Sequence, residues 1–205
     1  MDLKVKGGSK DQRTFTAKGT LRMASVGQTV EDGQKCRWIE VAWDSEIQED
    51  GDKAIKEKQV YKVLVPEKFL AKGETPLDHA VRAWRQRGKG GPQKLKDPKS
   101  ADEGPLPILL AGPLKDAKSL PKTEVDSKLG KLQCEGVTGT LEFKVAHGET
   151  VKCALENRLH PDAPFGAVST HWLIEGAPGL EGKMDWTMKL IDFGDKAASE
   201  MPDAK

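Results

Sequence analysis

The sequence predicts an α+β, mostly β domain. It is expected to be a curved antiparallel half-barrel sheet of roughly seven to eight strands, with one main helix and one or two short helices packed across one face. Three observations lead there. Apolar and polar side chains alternate near both ends of the chain, one helical stripe stands mid-chain, and the strand–helix–strand alternation of a parallel sheet is absent.

The first alternating run is Phe15 to Met23. Phe15, Ala17, Gly19, Leu21 and Met23 fall on one face, and Thr16, Lys18, Thr20 and Arg22 on the other. A polar turn at Glu31-Asp32-Gly33 leads into a second strand, Cys36 to Ile47. Ile39, Val41 and Trp43 share one side of it. Cys36, Trp38 and Ala42 share the other with Glu40, so this strand is central or has its second face covered by a helix. A hairpin near Asp50-Gly51 leads to Lys58–Val65, which sets Tyr61, Val63 and Val65 to one side and ends at Pro66.

A helix is predicted over 76–87. Thr75 is placed to cap it, Pro76 takes the first position, and Leu77, Ala80, Val81 and Trp84 form one stripe that Gly88 ends. A helical turn over Glu67 to Ala71 precedes it. Residues 88–104 read as an exposed basic loop. The stretch from Arg82 to Lys99 carries Arg82, Arg85, Arg87, Lys89, Lys94, Lys96 and Lys99 against one acid, Asp97. Either an acidic partner docks there or these cations are simply solvated. Pro105 to Ala111 is apolar, too short to span a bilayer, and is expected to plug one end of the core.

The last third is β throughout. Leu141, Phe143 and Val145 alternate, a turn at Ala146-His147-Gly148 follows, and Val151, Cys153 and Leu155 return. The final strands are Phe165 to Ile174 and Met184 to Phe193, the second with Met184, Trp186, Met188 and Leu190 on one face. A single domain over 12–195 with a disordered tail at 196–205 is the expected organisation.

Chemistry is sparse. The net charge of +1 supplies no global field for nucleic acid, and no run is long enough for a transmembrane segment. Nucleotide-binding, hydrolase and zinc-protease motifs are absent, the histidines are scattered, and no metal or cofactor is expected. The protein is expected not to be an enzyme. A Cys153–His171 pair, or carboxylates such as Glu40 and Glu46, are the only reserve for catalysis. Cys36, Cys134 and Cys153 are expected to be free. A hairpin centred on His147 sets Cys153 opposite Leu141 and carries Cys134 beyond reach of it.

The large apolar side chains stand out. Trp38, Trp84, Met184, Trp186 and Met188 either fill the layer between sheet and helix or wall a cavity for an apolar small molecule or lipid. Three stretches carry a resemblance: Trp38-Ile39-Glu40, Val63-Leu64-Val65-Pro66-Glu67, and Glu149 to Glu175. The last contains Val151-Lys152-Cys153 and Ala163-Pro164-Phe165-Gly166-Ala167-Val168. Together they resemble exported bacterial domains of the LolA/LolB/LppX lipoprotein-carrier superfamily.

That resemblance implies an unclosed half-barrel capped by helices, exported to the periplasm or cell envelope with its leader removed, with a concavity for acyl chains. The polar Met1–Lys10 stretch has no signal-peptide core and leaves a cytoplasmic location as the alternative. The chain departs from a lipid carrier in its basic 87–104 insertion and its aromatic content of 5%. Two functions follow: a non-catalytic carrier of an apolar ligand, or an envelope protein-interaction module with a filled core. Oligomeric state is not readable from these features.

Overall fold

The computed structural model describes residues 2–8, 14–49, 53–71, 74–98, 114–127, 130–144, 150–163, 166–175, 183–192, 194, 196–202 and 204. Among the described residues there are eleven strands: β1 (Asp2–Gly8), β2 (Thr14–Glu31), β3 (Gln34–Glu49), β4 (Ile55–Pro66), β5 (Arg82–Arg87), β6 (Gln93–Lys94), β7 (Lys115–Ser127), β8 (Gly130–Lys144), β9 (Thr150–Leu159), β10 (Ala167–Glu175) and β11 (Lys183–Lys189). They form one sheet in the order β6-β5-β4-β3-β2-β1-β11-β10-β9-β8-β7, and every neighbouring pair is antiparallel. The sheet therefore consists of two five-stranded meanders, β2–β6 and β7–β11, joined through β1. It begins at Asp2 rather than at residue 12.

The antiparallel sheet is as expected, but the strand count and the helices are not. Among the described residues there is no α-helix; the helical elements are two single 3-10 turns, Glu67–Leu70 and Pro76–His79, and a 3-10 residue at Gly166. The expected 76–87 helix stops after its first turn. Thr75 makes no side-chain cap, Ala80 is already extended (φ −62°, ψ 129°), and Arg82–Arg87 pairs with β4 from Leu64↔Arg82 to Gln59↔Arg87.

The physical reason lies in β4, which is buried from Val60 to Pro66. Its outer row of backbone N–H and C=O groups has no access to water and must be paired. A short helix is marginal alone, and lying on one face it would leave that row open. β5 fills it. Ala83 turns to the interior and Trp84 to the outside, an alternation compatible with the same residues that make a helical stripe.

The interior is built from the faces the alternation assigns. Ala17, Leu21, Ile39, Val41, Tyr61, Val63 and Val65 from the first meander form one continuous cluster with Leu141, Val151, Cys153, Leu155, Trp172, Ile174, Trp186 and Met188 from the second. Trp43 and Trp186 meet edge to face at 5.5 Å, although β2 and β1 lie between their strands. In a flat sheet those strands would be about 14 Å apart, so the sheet curls sharply there. Gly19 sits in that bend on β2, beside Ser45. A Cβ on it would overlap the Asp44 carbonyl oxygen, so the close approach of the two backbones requires glycine.

The β2–β3 hairpin turns through Asp32 (φ 48°) and Gly33 (φ 74°), the paired positive φ of a tight hairpin. The β8–β9 register places Leu141 opposite Cys153, as a hairpin centred on residue 147 requires, and Cys36, Cys134 and Cys153 are all free and buried. The basic segment is partly ordered as the β5–β6 hairpin, with Trp84 opposite Lys94. Its residues 99–104, the apolar 105–111 stretch and the 146–148 turn lie outside the described residues.

Candidate functional site

The five residues expected to wall a cavity do not form one wall. Trp186 and Met188 are buried in the interior cluster, and Met184 packs against it. Trp38 and Trp84 lie on the opposite face of the first meander, Trp38 with Cys36 and Leu64, and Trp84 beside Ala42 and Val60. The two sets are separated by the thickness of the sheet. Inside, Trp172 and Trp186 rings lie 5.4 Å apart and Trp43 joins them, making three tryptophans in contact. The indole N–H groups of Trp43, Trp172 and Trp186 are buried without an acceptor, as is that of Trp84 outside.

Polar side chains are concentrated instead on the outer face of β2–β4. Glu40 lies in the middle of β3, between Ala24 of β2 and Lys62 of β4, and is 1% exposed. A buried carboxylate is costly unless its oxygens are satisfied, and here both oxygens are. Oε1 accepts from Arg22 Nη2 (3.0 Å) and from the backbone N–H of Glu200 (2.8 Å). Oε2 accepts from the Ser199 hydroxyl (2.6 Å) and the backbone N–H of Met201 (3.3 Å).

Lys62, 4% exposed, donates to the Met201 carbonyl (2.8 Å) and to Ser199 Oγ (3.2 Å), and its ammonium lies 5.3 Å from the Trp38 ring centre. Arg22 Nη1 donates to the Ala198 carbonyl at 3.0 Å. Glu200 pairs with Arg22 at 2.8 Å and Lys58 at 2.7 Å. Burial raises the Glu200 pKa, but the Lys58 hydrogen bond and the Arg22 charge outweigh it and hold the carboxyl below its ordinary value; Lys58 is raised in turn, chiefly by its bond to Glu200.

These contacts seat the C-terminal segment, and its apolar residues follow. Met201 and Ala204 are each 1% exposed and pack on Ala42 and Val60 with Trp84 alongside. The tail expected to be disordered over 196–205 is thus docked through Ala198–Met201 and Ala204. Its polar composition conceals two anchors, Met201 and Ala204, and a backbone that a buried carboxylate and a lysine can hold. The signal in the sequence was Glu40 itself, a charge on a strand face otherwise made of Cys36, Trp38 and Ala42.

Beside the cradle runs an open groove of about 910 Å³ lined by Thr16, Lys18, Thr20, Asp44, Glu46 and Lys58, among others. Its lysines and acids are interleaved, so it selects no single charge.

The catalytic reserve does not assemble. Cys153 faces the interior, where burial raises its thiol pKa to about 11, the opposite of nucleophile activation. His171 is on the outer face, 2.8 Å from Asp185, and that contact lowers the Asp185 pKa. Glu40 and Glu46 share a face but stand about 20 Å apart along β3, one buried and one exposed. Of the other histidines, His79 stacks on Phe69 at 3.5 Å and His160 Nδ1 accepts from the Asp162 backbone N–H; His147 lies outside the described residues. Among the described residues no group of three or more potential ligands could hold a metal, and no helix is long and apolar enough to cross a membrane.

The class this geometry defines is an all-antiparallel protein of two fused five-stranded meanders, with the segment Ala198–Met201 docked on the outer face of the first. Comparison with protein-family models, with curated proteins and with solved structures finds no match to this chain.

Proposed function

We propose that this protein is a non-catalytic protein-interaction module whose interior is packing rather than a ligand site. The observation that carries the reading is the continuity of the interior cluster, in which the inward faces of both meanders bury one another, with Trp172 and Met188 each 1% exposed. Two further features support it: the reserve catalytic groups stand apart, and the most elaborate polar arrangement faces outward and holds a peptide segment.

The strand edges are unsuited to the role. β6 is two residues long. β7 carries Pro121, Lys115, Lys118 and Lys122 and two register breaks, the features that keep an edge from pairing with another chain. The outer face of β2–β5 is the better contact surface.

A second reading, carriage of an apolar ligand, is favoured by one observation. The three interior indole N–H groups lack acceptors, and a ligand with an apolar body and an acceptor atom would satisfy them. Titration of the purified protein with a fluorescent fatty acid separates the two. The module reading expects no saturable binding at micromolar probe and unchanged tryptophan emission. Saturable binding with quenching of Trp172 and Trp186 would replace it with the carrier reading.

A further inference from the structure

We propose that the outer face of β2–β5 is a peptide-recognition cradle and that residues 198–202, with Ala204, are its built-in occupant, displaceable by a segment of another protein with the same chemistry. That chemistry is a hydroxyl residue, an acidic residue and a long apolar residue in succession, as in Ser199-Glu200-Met201. The proposal rests on the interaction-module reading and names its surface and partner.

The contacts are those of recognition rather than of a sheet. Glu40 reads two consecutive backbone N–H groups, and Lys62 reads the carbonyl that follows. Those three bonds select a backbone shape without regard to sequence. Sequence is read by three side chains: the Ser199 hydroxyl on Glu40, the Glu200 carboxylate between Arg22 and Lys58, and Met201 on Ala42 and Val60.

Charge favours an acidic occupant. The cradle brings Arg22, Lys58 and Lys62 against two carboxylates, Glu40 and the Asp44 opposite Lys58, so the empty face would keep one net positive charge. The Glu40 carboxylate would still have Arg22 at 3.0 Å and Lys62 on the neighbouring strand.

The tail is also held in a way that allows release. Its polar contacts with the sheet run through the side chains of Arg22, Glu40, Lys58 and Lys62, and the described residues 196–202 and 204 belong to no strand of the ladder. Arg22, Lys58 and Glu200 side chains are 37%, 48% and 29% exposed, so that rim is open to solvent. Segments held by side chains at an open rim detach at lower free energy than ladder strands.

The test uses the full chain and a fluorescein-labelled peptide spanning Lys196–Lys205. Ser199→Asp sets a carboxylate where the hydroxyl now lies 2.6 Å from Glu40 Oε2 and 3.2 Å from Lys62 Nζ; its repulsion by Glu40 is expected to eject the tail without altering the cradle, and loss of protection at the Met201 amide confirms release before the titration. Fluorescence anisotropy is expected to show saturable binding to Ser199→Asp at least about tenfold tighter than to the unaltered chain, whose own tail must first be displaced. A peptide with lysine in place of Glu200 should bind Ser199→Asp at least about tenfold more weakly.

Absence of saturable binding to Ser199→Asp, or equal binding of the two peptides, overturns the proposal. Circular dichroism checks that the variant folds. If it does not, hydrogen exchange on the unaltered chain decides. Faster exchange at the Glu200 and Met201 amides than at Val63 supports a releasable occupant, and exchange at the same rate makes the tail an inseparable part of the core. Fatty-acid binding in the separate titration would overturn the filled-interior reading and leave these peptide results standing.

Discussion

The two meanders share a plan and differ in how they treat their outer faces. Each begins with a long hairpin, β2–β3 or β7–β8, and each carries a buried cysteine just after the turn. Cys36 and Cys134 even donate to equivalent carbonyls two residues back, those of Gln34 and Leu132. Their inner faces merge in one core. Outside, the second meander shows Glu142, Lys152, Glu156, Arg158, His171 and Asp185, paired with one another at the surface. The first shows Cys36, Trp38, Ala42, Val60, Leu64 and Trp84, with Glu40 and Lys62 among them. A sheet apolar on both faces must be covered twice. The difference teaches that the segment around Ser199–Met201 covers the broad apolar outer face of the first meander, whereas the smaller buried patch of the second, Cys134 with Ala163, Val168 and Leu190, is closed by its own residues.

The sharpest way to break this comparison is to remove a carboxylate from each outer face. Glu40→Ala removes the buried carboxylate that Arg22 and the Ser199 hydroxyl share and leaves the Glu200 amide without its acceptor. It should cost about 3–5 kcal/mol, the loss for one partner of a buried ion pair. Glu156→Ala in the second meander removes a pair whose glutamate side chain is 40% exposed and should cost about 0–1 kcal/mol. Urea denaturation midpoints measure both. Similar losses would mean the two outer faces are not physically distinct.

A step smaller is the apolar anchor. Met201 is 1% exposed on Ala42 and Val60, so Met201→Ala should destabilise by about 2–4 kcal/mol if the tail stays in place around the cavity. Local release of the tail instead would cap the loss lower and show as a shift in Trp84 emission without a matching change in melting temperature.

The same comparison explains what could be read from the sequence. The inner faces of β2, β3, β4, β9, β10 and β11 were legible because one side of each is dry and the other wet, or because a central strand shows apolar residues on both sides. β7 was not. Of its thirteen residues only Leu120, Val125 and Ser127 are even half-buried, so no alternation exists to find. β5 was misread as helix because Leu77, Ala80, Val81 and Trp84 fit the helical period, whereas within Arg82–Arg87 only Ala83 is buried and marks the strand, and the deciding factor, the edge of β4, is tertiary. The cradle was half visible. Glu40 on an apolar strand face marks a buried charge, but nothing along β3 says that its partners arrive from residues 199–201, some 160 positions later. Both apolar faces of β3 pointed to a cover, and the cover proved to be a tail rather than a helix.

Buried thiols supply a smaller, purely kinetic contrast. Burial raises the pKa of Cys36, Cys134 and Cys153, the last to about 11. A thiol reagent at pH 8 should therefore label none of the three in the folded protein and all three in denaturant. Cys36 lies in the outer cluster with Trp38, Leu64 and Trp84 rather than in the shared core. It should become the first to react when the tail is detached, and simultaneous labelling of all three would show that the outer face does not open separately.

The smallest expected effect is that of acid on the tail. Glu200 has a folded pKa below its ordinary 4.5, so it binds fewer protons folded than unfolded in that range. Its contribution is therefore present in full above the ordinary value and is lost as pH falls through the lowered one. The gain is that of a partly exposed ion pair, about 0–1 kcal/mol, too little to unfold the sheet. It should appear as a shift of Trp84 emission below pH 4.5 that precedes global unfolding and is absent in Glu200→Gln. The Asp185–His171 pair in the second meander has the same sign, with a carboxyl held below its ordinary 3.8, but it anchors no mobile cover. His171→Ala should therefore leave the acid shift of Trp84 where it was; if it moved that shift, the two outer faces would be coupled through the shared core, and the division between them would fail.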